Sequence, residues 1–151
     1  MSKKVNLSEM EAVINEVLEN NSQVVITASG KSMEPFIRDG IDNVALKRPT
    51  RRPEKGDVIF YKRDSGKLVL HRIVGEDENG YILCGDNQWA KEYGIRENQI
   101  IAVLDSVEKN GKIYKSDGAY FKIYNMLLPQ IKWSRRIKNS VSIRIKGVTK
   151  R

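Results

Sequence analysis

Two residues of this sequence carry the side chains that nucleophilic catalysis requires, Ser32 and His71. Ser32 lies in the stretch ASGKSMEPFIRDG, and His71, the one histidine of the chain, lies in KLVLHRIV. A serine hydroxyl is a weak nucleophile until a neighbouring base accepts its proton, and a neutral imidazole is such a base. Taken singly, a turn serine and a strand histidine are more often structural than catalytic. Because there is one histidine, His71 is the only imidazole that could activate Ser32.

The residues around this pair indicate how the backbone could prepare the chemistry. Gly30 can adopt backbone angles closed to other residues, so a tight turn there could present the backbone N–H of Ser32 as an oxyanion donor. With period-two alternation, Val69, His71 and Ile73 share one strand face. Apolar neighbours limit the solvation of an imidazole and keep it uncharged at rest. The pattern therefore predicts a restrained, neutral His71.

A third candidate, Asp86, follows a glycine at the end of the predicted strand GYILC, in the motif CGDNQW. We expect an aspartate at this place to orient His71 or to fix the turn beside the catalytic pair. A plain Gly-Asp-Asn turn is the alternative interpretation, since these residue types are frequent in turns.

The composition excludes other kinds of site. The single cysteine, Cys84, rules out an intramolecular disulfide. One histidine and one cysteine cannot supply a usual tetrahedral zinc site without several carboxylates, and we expect neither a metal nor another cofactor. Cys84 alternates with Ile82 in a strand and is interpreted as a core residue, with a Cys84–His71 pair as a remote alternative.

Short β-branched segments separated by Gly, Asp, Asn and Pro clusters predict a mostly β fold. The segments are QVVITAS, NVALKR, DVIFYKR, LVLHRIV, GYILCG, QIIAVLDSVEK and KIYK. RDSGK and EDENGY are typical of hairpin turns, so we expect antiparallel hairpins rather than βαβ units. Near the start of the chain, Ser8 and Glu11 have the spacing of a capping box, and apolar residues at helical intervals predict a short N-terminal helix.

Charge divides the chain into two parts. Residues 1–108 carry 15 Lys/Arg and 18 Asp/Glu, a net of −3, whereas residues 109–151 carry 12 and 1, a net of +11. We therefore divide the chain into residues 1–118, a catalytic domain with its N-terminal helix, and residues 119–151, a basic amphipathic C-terminal segment. Pro129 is expected to break or kink any helix in that segment.

The C-terminal segment has the composition of an element that lies on a membrane surface. An aromatic and aliphatic run from Tyr120 to Leu128 precedes Trp133 and the pair Arg135–Arg136. Apolar anchors beside cations favour peripheral contact with an anionic membrane. A C-terminal element packed on the body with a solvated basic edge is the alternative. Nucleic-acid binding is disfavoured, although charge alone does not separate phosphate from lipid headgroups.

The order of these motifs resembles that of type I signal peptidases, in a clan that also includes LexA-like self-cleaving repressors. GKSMEPFIRDGIDNVAL, KGDVIFYKR, LVLHRIV, CGDNQ and IIAVLDSV occur in the same order and at similar spacing, over roughly residues 24–107. The histidine in LHRIV resembles the Ser–His, endoplasmic-reticulum-like branch, since other branches carry lysine there. The resemblance implies a signal-peptidase/LexA-like fold of coiled antiparallel sheets, with Ser32 as nucleophile and His71 as general base.

Three features differ from the family pattern. Gly30 stands where a serine often helps the oxyanion hole, so we expect the backbone N–H of Ser32 to be the donor. The aspartates that follow the GDN motif are absent as such, and QWAKEYG makes Glu92 the alternative to Asp86 as the orienting residue. No apolar run reaches the ~18–20 residues of a membrane span, and no signal-peptide pattern opens the chain. We therefore expect a cytoplasmic protein, with at most peripheral contact with the inner face of the membrane.

The function implied by the resemblance is that of a serine endopeptidase that cleaves a leader or precursor peptide. The alternative is a non-catalytic regulatory or nucleic-acid-binding module on the same fold. The presence of both Ser32 and His71 favours the enzyme.

Overall fold

The computed structural model describes the backbone of residues 7–20 and 23–148 and, within these ranges, the side chains of residues 9–20 and 23–136. In chain order the elements are α1 (Leu7–Asn20), β1 (Val24–Thr27), β2 (Asn43–Lys47), β3 (Val58–Lys62), β4 (Leu68–Asp77), β5 (Gly80–Cys84), β6 (Glu92–Ile95), a 3-10 turn (Glu97–Gln99), β7 (Ile100–Lys109), β8 (Lys112–Lys115) and α2 (Ala119–Val148). The expected mostly β fold with a short N-terminal helix is confirmed.

The described strands form one eight-stranded sheet in the order β1-β2-β7-β3-β4-β5-β6, with β8 paired to β7. Every pair is antiparallel. Both predicted hairpin turns are present, one between β3 and β4 and one between β4 and β5. Register shifts interrupt four of the pairs, and such bulges bend and twist a sheet locally. The sheet is therefore coiled, as expected.

Each face of the sheet carries an apolar cluster. Strand β3 shows the division: Val58 and Phe60 belong to the first cluster, and Ile59 and Tyr61 belong to the second. Successive side chains of a strand point to opposite faces. The first cluster also receives both helices, whereas the second lies between β3, β4, β5 and β6. In the middle of β4 the side chains on both faces are therefore buried: His71, Arg72 and Ile73.

Both helices pack on the first cluster. Helix α1 contributes Ile14 and Leu18, and α2 contributes Phe121, Tyr124 and Leu128. Each set recurs at helical spacing and so lines one face of its helix. The side chain of residue 8, which we expected to cap α1, lies outside the described side chains.

Helix α2 begins at Ala119, and its first turns are buried in the same core as the strands. It is not broken at Pro129. Leu128 is buried in the first cluster and Ile131 packs against it, so the helix is held on both sides of the proline. No helix in the described part of the chain has the length and apolarity needed to cross a bilayer.

We expect Phe121→Ala to lower the free energy of unfolding by about 3–5 kcal/mol, because Phe121 is 3 % exposed and its removal leaves a cavity in the core. The matched control is Met126→Ala, on the outer face of the same helix and 69 % exposed, which should change it by less than about 0.5 kcal/mol. Urea denaturation followed by circular dichroism measures both. Equal losses would contradict the packing of α2 described above.

Candidate catalytic site

Ser32 lies in the loop between β1 and β2, which is closed at its base by backbone hydrogen bonds. The N–H of Ala28 donates to the carbonyl of Asp42 (3.0 Å), and the Ala28 carbonyl accepts from the N–H of Gly40 (2.7 Å). Gly30 has a φ of 98°, and its N–H donates to Oδ1 of Asp39 at 2.8 Å. A left-handed backbone of this kind favours glycine, so the turn expected at Gly30 is present.

Apolar and ionic contacts fix the second half of this loop. Phe36 and Ile37 are buried in the first cluster. The fully buried carboxylate of Asp42 accepts hydrogen bonds from Arg38 Nη2 (2.6 Å) and Lys109 Nζ (2.7 Å). Burial acts to raise the pKa of Asp42, but the hydrogen bonds from Arg38 and Lys109 outweigh burial and hold that pKa well below its usual range. The loop is thus fastened to the end of β7 by a buried ion pair.

The Ser32 loop also contacts the turn after β5. The backbone N–H of Asn87 donates to the Ser32 carbonyl (2.8 Å), and Asn87 Nδ2 donates to the Lys31 carbonyl (3.0 Å). A Cβ atom at Gly85 would lie 2.6 Å from the Ser32 carbonyl oxygen, which is closer than real Cβ contacts. Only glycine at position 85 allows this approach without a shift of backbone.

His71 lies at the same end of the β4–β5 pair as this glycine. Arg72 pairs with Cys84, the last residue of β5, so His71 and Gly85 each lie one residue beyond that pair. The Ser32 loop, which packs on Gly85, and His71 therefore lie at one end of the β4–β5 pair. Among the described residues, no hydrogen bond joins the Ser32 hydroxyl to His71; such bonds are often loose in free enzymes and tighten with substrate.

His71 is buried, at 2 % exposure, on the face of β4 that was predicted for it. Ile73 belongs to the second cluster and Val69 packs against it. His71 Nδ1 lies 3.3 Å from the hydroxyl of Tyr61 and 3.5 Å from Oε1 of Glu92. One nitrogen of the ring is thus oriented by a phenol and a carboxylate.

Burial lowers the pKa of His71 below its ordinary value. The Glu92 carboxylate acts to raise that pKa and the Arg63 guanidinium acts to lower it, and burial outweighs the carboxylate. The imidazole is therefore uncharged at neutral pH, which is the form that a general base needs.

Glu92 is held by Arg63, whose Nε lies 3.1 and 3.0 Å from the two carboxylate oxygens. Burial acts to raise the pKa of Glu92, but hydrogen bonding by Arg63 and Tyr61 outweighs it and lowers the pKa. Burial raises the pKa of Tyr61, so its phenol stays protonated. An ionised Glu92 beside Nδ1 favours the tautomer of His71 with its proton on Nδ1, which leaves Nε2 free to accept one.

Asp86 is engaged by a different partner. Arg72 Nε and Nη2 donate to the two oxygens of its carboxylate, each at 2.8 Å, and both side chains are buried. Because His71 and Arg72 are neighbours on a strand, their side chains point to opposite faces. Of the two carboxylates considered from the sequence, Glu92 contacts His71, whereas Asp86 joins Arg72 and holds the turn that supports Ser32.

Sequence reasoning did not identify Tyr61, Arg63 and Arg72. A signal for Arg72 is present, because it directly follows His71 in an apolar strand and a buried arginine requires a carboxylate. Tyr61 and Arg63 follow from no local pattern. Their contacts with His71 and Glu92 arise from the pairing of β3 with β4 and from the path of the chain into β6.

Three further features considered from the sequence are the backbone N–H of Ser32, the thiol of Cys84 and a metal site. None of the hydrogen bonds described for residues 23–136 uses the backbone N–H of Ser32, so this donor is available to an oxyanion. Cys84 is buried, and its Sγ lies 3.2 Å from the Gln88 carbonyl, as suits a core residue. In the part of the chain that the structure describes, no cluster of three or more His, Cys, Asp and Glu side chains could hold a metal ion.

We expect Asp86→Asn to lower the free energy of unfolding by about 3–5 kcal/mol, since it leaves the charge of Arg72 buried without its partner. The control is Asp64→Asn, which removes an exposed carboxylate paired with Arg96 and should change stability little. Urea denaturation measures both variants. A loss no larger for Asp86→Asn than for the control would contradict a structural role of the buried pair.

Comparison with known proteins identifies the family of this chain. A family model described as Peptidase S24-like matches residues 2–114, which include the Ser32 loop, β4 with His71 and the turn with Asp86. No curated protein matches the chain. The match covers more than half of the 151 residues and every strand except the last residue of β8. The chain therefore belongs to the Peptidase S24-like family.

Proposed function

We propose that this chain is a serine endopeptidase of the signal-peptidase type, with the Ser–His pair of the endoplasmic-reticulum-like branch, which cleaves a leader or precursor peptide. One observation carries the proposal: a buried, neutral His71 has Glu92 at Nδ1 and lies at the end of the β4–β5 pair where Gly85 packs on the Ser32 backbone. A histidine that only fills space in the core does not require an ionised carboxylate next to Nδ1, as Glu92 is here. The family match supports a peptidase of serine type, and the histidine supports this branch.

In the proposed reaction, Ser32 Oγ attacks the scissile carbonyl while His71 Nε2 takes its proton. The charge on His71 then lies next to Glu92, which stabilises the imidazolium. The Ser32 N–H donates to the oxyanion of the tetrahedral intermediate. His71 returns the proton to the leaving amine, and water hydrolyses the acyl-enzyme with His71 again as base. Tyr61 and Arg63 are positioning residues, because they act through His71 and Glu92.

The proposed substrate is an extended peptide that adds to the edge of the sheet. Strand β1 is the last strand on its side of the sheet, and its outer edge pairs with no other described strand. It leads directly into the Ser32 loop. An unpaired edge offers backbone donors and acceptors to an extended peptide. A peptide bound along β1 would reach Ser32 without having to fold.

We expect Ser32→Ala and His71→Ala each to reduce labelling by a serine-reactive fluorophosphonate probe, in which the serine oxygen bonds to phosphorus and displaces fluoride, by about 10³-fold or more, because each removes one member of the proposed pair. Labelling, followed by mass spectrometry of the intact protein, gives the rate and the stoichiometry. Ser65→Ala, at an exposed serine in the turn between β3 and β4, is the matched control and should label like the parent protein.

Labelling at a serine other than Ser32, or equal labelling of Ser32→Ala and the parent, would overturn the nucleophile. A folded parent protein that does not react at all would favour the alternative, a non-catalytic module on the same fold.

The pH dependence of labelling by the same fluorophosphonate probe tests the role of Glu92. Since burial holds the pKa of His71 below its ordinary value of 6.5, the acid limb of the rate should lie below pH 6.5. The Glu92 carboxylate acts to raise that pKa, so Glu92→Gln should move the acid limb to still lower pH. The same change should reduce the plateau rate by roughly 10²-fold or more, because the imidazolium loses its carboxylate.

The control for this profile is Glu97→Gln, at an exposed carboxylate that contacts Arg52 rather than His71. It should leave both the acid limb and the plateau unchanged. An acid limb that does not move in Glu92→Gln would show that Glu92 serves only to hold Arg63, and the orienting residue would then have to be sought elsewhere.

A further inference from the structure

Helix α2 has an exposed apolar face that its packing on the core does not use. Phe121, Tyr124 and Leu128 point into the first cluster. On the opposite side, four apolar side chains are exposed, and we call them the outer face of α2: Ile123 (52 %), Met126 (69 %), Leu127 (44 %) and Trp133 (65 %). Their spacing follows the helical repeat, so they form one stripe. Singly exposed apolar residues are ordinary, but a stripe with methionine and tryptophan is not.

The same helix is strongly cationic. Residues 119–148 include seven Lys/Arg and no Asp/Glu, whereas residues 1–108 have a net charge of −3. The positive charges of α2 are therefore not balanced by any acidic residue on the same helix. A helix with an apolar stripe and only cationic charges has the composition of helices that lie in the interface of an anionic bilayer.

A second tryptophan extends this surface towards the Ser32 loop. Trp89 is 58 % exposed, and Lys132 Nζ and the Arg136 guanidinium lie 5.7 and 5.5 Å from its ring centroid. Trp89 follows the turn in which Asn87 donates to the Ser32 carbonyl. Tryptophan and basic side chains are the residues that anchor proteins at the headgroup level of a membrane.

We propose that the outer face of α2, together with Trp89, binds the surface of an anionic lipid bilayer. The apolar stripe enters the boundary between headgroups and acyl chains, and the Lys and Arg residues contact the anionic headgroups. This docking does not depend on the proposed peptidase activity. Its consequence for the site is positional: Trp89 follows the turn that contacts the Ser32 backbone, so docking brings Ser32 close to the membrane surface.

Charge and exposure favour this occupant over others. Two copies of α2 brought face to face would bring together two cationic helices that carry no acid. A nucleic acid or an acidic peptide would account for the cations but would leave the aliphatic stripe exposed. An anionic bilayer satisfies both the charge and the apolar area.

The test is co-sedimentation of the full chain with vesicles of phosphatidylcholine, with and without phosphatidylglycerol, at low and high salt. We expect binding only when phosphatidylglycerol is present. Salt should weaken this binding without abolishing it, because salt screens the charges but not the apolar burial. The double variant Met126→Ser/Trp133→Ser should bind about tenfold more weakly, since it removes two apolar anchors. The matched control is Ile41→Ser/Ile113→Ser, at residues that are 63 % and 68 % exposed elsewhere, and it should bind like the parent.

Fluorescence gives an independent readout because the chain has two tryptophans. Vesicles with phosphatidylglycerol should shift the emission of the Trp89→Phe variant, which reports Trp133, to shorter wavelength. Thermal unfolding of each variant shows that it is folded. No sedimentation with anionic vesicles, or equal binding of the double variant and the control, would overturn the proposal. So would binding to duplex DNA in preference to vesicles, or a dimer in vesicle-free solution that the double variant abolishes.

Discussion

The arrangement of this molecule depends on one buried cation, the guanidinium of Arg72. It forms a bidentate ion pair with Asp86, with one hydrogen bond to each carboxylate oxygen. It also lies over three rings, at 4.9 Å from Phe36, 5.1 Å from Phe121 and 5.4 Å from Tyr124. Taking a charge out of water costs several kcal/mol, so each of these contacts is needed to offset the loss of hydration. One side chain thereby ties β4 to the Ser32 loop, to the turn after β5 and to α2.

This tie explains how a helix outside the family match supports the site. Residues 119–136 follow the matched segment, yet Asn125 accepts a hydrogen bond from Arg72 and donates another to the Gly56 carbonyl at 3.3 Å. His71 and Arg72 occupy opposite faces of one strand, so the strand divides two tasks. One face holds the neutral imidazole with Tyr61 and Glu92, and the other holds the cation that fixes the surrounding elements. Arg72 therefore links α2 to the strand that carries His71, without contact between α2 and His71.

The parts of this arrangement that could be predicted are those with a local signal. Period-two alternation correctly gave the face of His71, and the turn at Gly30 followed from the freedom of glycine. The order of the motifs gave the family's fold. The choice between Asp86 and Glu92 had no such signal, because nearness to a strand end in the sequence does not say which face a carboxylate serves. The contacts separate the two carboxylates: Arg72 pairs with Asp86, and Glu92 lies next to His71.

The same packing explains why α2 passes through Pro129. A proline inside a helix removes the N–H that would bond the carbonyl four residues earlier, here that of Asn125, at a cost of about 3 kcal/mol. The side chain of Asn125 is already fixed by Arg72 and Gly56. Burial of Leu128 on one side of the proline and partial burial of Ile131 on the other stabilises both halves of the helix by a comparable amount. This packing uses only one face of α2. The core therefore determines the direction of the helix but makes no contact with the exposed side chains of its outer face.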